Sequence, residues 1–210
     1  MKKNTEPLQP ETFYHVYNRG INGEVIFKEK RNYAYFLQQY DTYISHVSDT
    51  YSYCLLNNHF HLLIKTKSES QILQVFEKVT QDKTTEDIKS ASFHLQNQFA
   101  KLFNSYTQSI NNANNRTGGL FERPFRRINV ENDSYLSQLI WYIHFNPQKH
   151  GVVRDFRSYH YSSYQSHLSI KPTKLKRDEI LEWFGGYKRY IGFHDQQHDE
   201  SELQKWLIEF

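Results

Sequence analysis

The sequence predicts an α+β fold, an antiparallel sheet with helices on one side, followed by a C-terminal extension. Three observations predict it. Short runs rich in β-branched and aromatic residues, such as Phe13–Arg19 and His59–Thr66, read as strands. Between them, apolar residues recur at three and four, the period of an amphipathic helix. Asn57-Asn58, a pair that tolerates positive φ, separates two of the runs as a hairpin turn does. In chain order this gives strand, helix, strand, strand, helix, strand, the ferredoxin-like order.

Each element has its own signal. The first strand stops at Gly20, and Asn22-Gly23 marks a turn. Tyr33, Phe36, Leu37, Tyr40, Tyr43 and Ile44 form a helical stripe within residues 29–47. Strands over 51–56 and 59–66 make the hairpin. Ile72, Leu73, Phe76 and Val79 predict a helix over 70–81. Periodicity is then lost in a polar insertion at about 82–92, and a further helix over 93–111 carries Phe99, Leu102, Phe103, Tyr106 and Ile110. An Asn- and Gly-rich loop leads to a fourth strand over 120–130, its pairing limited by Pro124. Asp133 can cap a helix with the stripe Leu136, Leu139, Ile140 and Ile143, which Pro147 ends. Residues 1–11 then form a leader, 12–165 the main domain, and 166–210 a basic linker with a small helical C-terminal extension.

At 210 residues the chain suits one domain with an elaborated end. Its 15 Phe and 16 Tyr, despite a polar mean hydropathy of -0.81, argue against a disordered chain. A net charge of +3 permits a polyanionic partner without demanding one. Cys54 is the single cysteine, which excludes an intrachain disulfide and a four-cysteine zinc cage and fits a reducing cytoplasm. No apolar stretch backs the leading lysines, so no secretory signal is expected, and no apolar run reaches membrane-spanning length.

The chemistry-bearing stretch is Asn57-Asn58-His59-Phe60-His61. On a strand His59 and His61 project from one face while Phe60, Leu62 and Ile64 line the other. Two adjacent imidazoles can chelate one cation, although an isolated pair of this kind more often binds nothing. Tyr142 and Asn146, four apart on the helix that starts at Asp133, share a face and can act together. Alone, each has an ordinary explanation as a half-buried packing residue or a helix-ending turn.

Basic residues give a second pattern. Arg19 ends the first strand, as a phosphate contact or as a solvated charge. Arg123, Arg126 and Arg127 beside Phe121 and Phe125 suit phosphate contacts with base stacking, or else a solvated face over core aromatics. Lys149 and Arg154, followed by the aromatic run at 159–164, suit DNA guidance, or Tyr161 and Tyr164 lock the tail to the body.

The motifs His59-Phe60-His61, Tyr142-Ile143-His144-Phe145-Asn146-Pro147 and Tyr14-His15-Val16-Tyr17-Asn18-Arg19-Gly20 resemble those of the single-tyrosine HUH transposases. The branch they resemble most is the REP-associated tyrosine transposases, which the segments at 119–126 and 161–164 also resemble. The resemblance covers about residues 12–165. It implies an HUH endonuclease/transposase fold, a bacterial cytoplasmic protein, and a partner that is single-stranded or hairpin DNA, with a homodimer one arrangement open to it. His59 and His61 would then be metal ligands, Asn146 the third ligand where relatives often carry Gln, and Tyr142 the nucleophile that forms a 5′-phosphotyrosine. His144, about 160° round the helix from Tyr142, falls away from the metal. Mg²⁺ and Mn²⁺ are the plausible ions, Mn²⁺ matching two imidazoles better. Two other functions stay open: a domesticated or inactive DNA-binding protein of the same fold, and a metal phosphodiesterase in which water attacks.

Overall fold

The computed structural model describes residues 6–77, 90–131, 133–196 and 198. Strand β1 (Phe13–Arg19) is followed by α1 (Lys30–Tyr43), the hairpin β2 (Ser48–Leu55) and β3 (His59–Thr66), α2 (Glu69–Glu77), α3 (Ala91–Ala113), β4 (Arg126–Asn129) and α4 (Asp133–Lys149). The sheet order is β2-β3-β1-β4, with every neighbouring pair antiparallel. This is the α+β, ferredoxin-like arrangement expected from the element order, with α1 and α3 on one side of the sheet and α4 added on the other. No helix among the described residues is long and apolar enough to cross a membrane.

Strand alternation builds two cores. Val16, Phe60, Leu62 and Ile64 meet Phe36, Tyr40, Phe99, Leu102 and Tyr106, so α1 and α3 share one side of the sheet. Leu63 and Cys54 face the other way, against Leu139, Ile140 and Ile143 of α4. The short helices α5 (Tyr164–Leu168), α6 (Arg177–Trp183) and α7 (Tyr187–His194) join that second core through Tyr164, Ile180 and Tyr190.

Local details differ from the sequence expectation at three places. The β2–β3 turn is Asn57-Asn58 as predicted, but β2 starts earlier, at Ser48, because α1 ends at Tyr43. The turn is further held by Gly20 and Ile26, whose N–H groups donate to the Asn58 and Asn57 carbonyls at 2.8 Å each. Gly20 has no room for a side chain, since a Cβ there would lie 2.0 Å from the Glu24 carbonyl oxygen. Strand β4 covers only Arg126–Asn129; Phe121 makes a single bridge to Gly20 before the chain leaves the sheet around Pro124. Pro147 does not end α4, which runs on to Lys149. Proline removes one N–H from the ladder, but so near the helix end the His150 N–H still reaches the Asn146 carbonyl at 3.0 Å. Of the predicted connectors and ends, residues 1–5, 78–89 and 199–210 lie outside the described residues, and with them the last predicted helix and most of the polar insertion.

Candidate active site

Helix α4 lies against the face of the sheet that carries the histidines. The His59 and His61 rings stand perpendicular with centroids 5.3 Å apart. His59 Nδ1 is 2.7 Å from Asn58 Oδ1. An amide oxygen only accepts, so Nδ1 carries the proton there and Nε2 the lone pair. His61 Nδ1 is 3.0 Å from Nε2 of His15, the two rings lying edge to edge with 19° between their planes and 5.2 Å between centroids.

Tyr142 brings its ring edge-on to His61, 5.7 Å between centroids, and to His15 at 6.4 Å. It is only 3% exposed, and the Lys149 ammonium stands 5.1 Å from its ring centroid. One helical turn beyond, Asn146 donates through Nδ2 to the Tyr142 carbonyl at 2.8 Å. Its Oδ1 is buried and accepts no hydrogen bond from the described residues.

Burial governs the protonation of the cluster. It lowers His15 and His59 to about 3 and His61 well below the ordinary imidazole value. For His59, His150 and Arg19 add to the effect; for His61, His15 adds first. All three imidazoles are therefore neutral near pH 7 and able to donate a lone pair.

Among the described residues no group of three or more His, Cys, Asp or Glu side chains is placed to hold a metal ion. His59, His61 and Asn146 offer two neutral imidazoles and one buried amide oxygen, donors of a kind that a divalent ion takes. These residues fit such an ion. A buried acceptor without a donor costs about 1–3 kcal/mol, and Asn146 Oδ1 is one.

The arginines that the sequence grouped together are divided by the sheet. Directly paired residues on neighbouring strands share a face. Arg19 is paired with His59, and Arg126 with Tyr17, which is itself paired with His61, so both arginines stand on the histidine face. Glu122 joins them, 2.6 Å from Arg19 and 4.0 Å from Arg126. Arg127 is paired with Val16 on the opposite face, only 7% exposed, donating to the Glu6 carbonyl and lying 4.6 Å over the Phe125 ring. Arg123 donates to Asn104 of α3 at 3.1 Å, and Arg154 is exposed beyond α4.

Two residues at the site have no counterpart in the sequence expectation, His15 and His150. The ring of His150 lies 4.9 Å from that of His59. Strand alternation already put His15 beside Tyr17 on one face of β1, but the contact with His61 depends on the β1–β3 register. His144 turns away from the histidine pair, as its helical angle required, into the second core against His194, Ser52 and Ser163.

The fold is similar to that of a solved tyrosine transposase. That structure, a REP-associated tyrosine transposase bound to a REP hairpin, matches with a TM-score of 0.55, covering 82% of this chain and 88% of its own at 11% sequence identity. At such identity the likeness is one of fold. No protein-family model and no curated protein matches the sequence.

Proposed function

We propose that this protein cleaves and rejoins single-stranded or hairpin DNA through a covalent 5′-phosphotyrosine on Tyr142. The observation that carries the reading is the Tyr142 ring set edge-on to His61 at 5.7 Å, a phenol from a helix beside an imidazole pair from a strand. The fold shared with a transposase bound to hairpin DNA supports the substrate class. His59, His61 and Asn146 would hold a divalent ion, Mg²⁺ or Mn²⁺. When bound, the ion would polarise the scissile phosphate and stabilise its developing charge.

In this reading Tyr142 Oη attacks phosphorus and gives up its proton to solvent. The bond from phosphorus to the 3′ oxygen breaks, and that oxygen leaves as a 3′-hydroxyl, taking a proton from solvent. The 5′ side stays on the enzyme. Attack by another 3′-hydroxyl reverses the step, because a phenolate is also a competent leaving group. Arg19, Arg126 and Lys149 stand on the elements around the pair and would position flanking phosphates.

The test is to incubate the protein with end-labelled hairpin-bearing single-stranded DNA and Mn²⁺, then denature. A labelled adduct that survives denaturation and vanishes in Tyr142→Phe is expected. Cleavage without adduct would instead assign hydrolysis by water, and binding without cleavage a DNA-binding role alone; either overturns the proposal.

A further inference from the structure

Both candidate ligands have their Nδ1 engaged by a neighbouring side chain, but the two neighbours differ in kind. Asn58 Oδ1 can only accept, and so makes His59 Nε2 the lone-pair nitrogen. The neighbour of His61 is another imidazole, and a hydrogen bond between two neutral imidazoles can run either way. If His15 Nε2 donates, His61 keeps its proton on Nε2 and cannot ligate. If His61 Nδ1 donates, Nε2 is the ligating nitrogen.

We propose that His15 is a positioning residue for His61, accepting the His61 Nδ1 proton at Nε2 so that His61 presents Nε2 to the divalent ion. The inference rests on the proposed metal-dependent reading of the site. His15 suits the task by placement. It is wholly buried and diagonal to His61 across the β1–β3 pairing, two residues from Tyr17, the direct partner of His61, with 3.0 Å between the nitrogens. Its ring packs against the Tyr17 ring at 4.8 Å and against that of His61 at 5.2 Å, and those two rings are themselves 5.8 Å apart, so the three form one aromatic cluster. Its own Nδ1 is buried without a hydrogen-bond partner among the described residues. In the proposed arrangement this nitrogen carries the His15 proton, a buried N–H whose cost the bond to His61 has to offset. A cation at His61 Nε2 would polarise the ring and strengthen donation from Nδ1, as partners behind metal-bound histidines generally do.

The experiment measures Mn²⁺ binding to the full chain by the electron paramagnetic resonance of free Mn²⁺, in the wild type, His15→Leu, His15→Gln and His61→Ala. Loss of binding by about 10–100-fold in His15→Leu is expected. His15→Gln, whose amide oxygen can stand near the former Nε2, should restore most of it. Should His15→Leu fail to fold, ¹⁵N-histidine NMR of the wild type with Mg²⁺ reads the tautomer directly, and a proton on His61 Nδ1 is expected. A proton on His61 Nε2, or Mn²⁺ binding in folded His15→Leu equal to wild type, overturns the assignment. If His61→Ala loses binding and His15→Leu does not, only the role of His15 falls. If His61→Ala binds as wild type does, the metal reading itself falls, and the role of His15 with it.

Discussion

His144 Nδ1 lies 3.0 Å from His194 Nε2, which joins the helix that carries Tyr142 to α7. The proton positions follow from the partners. His194 Nδ1 donates to the Tyr190 carbonyl at 2.8 Å, so its Nε2 accepts from His144 Nδ1. His144 Nε2 then accepts from Ser163 Oγ at 2.8 Å, with Ser52 Oγ at 3.0 Å. His167 donates through Nε2 to the Tyr51 carbonyl at 2.8 Å and accepts from the Tyr190 hydroxyl at 3.0 Å. Replacing His194 by Leu leaves the buried His144 N–H only the Tyr190 hydroxyl, at 3.4 Å, and a loss of about 1–3 kcal/mol in urea unfolding is expected. The same variant should lower adduct yield, because α4 loses a fixed partner.

The same cluster makes stability depend on pH. Burial lowers His167 to about 3, His194 to about 4, and His144 well below its ordinary value of 6.5. The unfolded chain takes up these protons near pH 6.5, whereas the folded chain resists them down to about 3–4. Between those limits the unfolded state binds more protons, so stability is full above about pH 6.5 and falls as pH drops. The slope should approach about 1.4 kcal/mol per pH unit for each such histidine. Urea midpoints at pH 7, 6 and 5 measure it; a flat profile would show that the imidazoles take up protons in the fold at the same pH as in the unfolded chain.

The sheet puts two neighbouring arginines on opposite faces. Arg126→Ala should weaken DNA binding without regard to sequence and reduce the salt dependence by about one phosphate contact. Arg127→Ala should leave that dependence unchanged and instead reduce stability by roughly 1–3 kcal/mol, because it empties a partner of the Glu6 carbonyl and the Phe125 ring. Filter binding at several salt concentrations, beside thermal melts, distinguishes the two.

Asn146→Ala removes the unsatisfied amide oxygen while leaving Tyr142 in place. Adduct formation in Mn²⁺ should drop by about 100-fold or more, with a stability change of only about 1 kcal/mol from the lost bond to the Tyr142 carbonyl. Asn146→Asp, which keeps an oxygen at the same position, should recover part of the activity.

Local patterning carried much of this protein into view. The period-two alternation in His59–Thr66 determined by itself that both imidazoles leave one face and Phe60, Leu62 and Ile64 the other, because strand geometry does not depend on partners. Helical spacing likewise determined that Tyr142 and Asn146 go together and that His144 turns away from them. What only the tertiary structure decided is which distant elements meet. The β1–β3 register set His15 against His61, strand pairing parted Arg126 from Arg127, and the docking of α4 on the histidine face brought Tyr142 beside His61. These are contacts between residues far apart in the chain, chosen by which apolar faces can be buried together, and no short-range spacing encodes that choice.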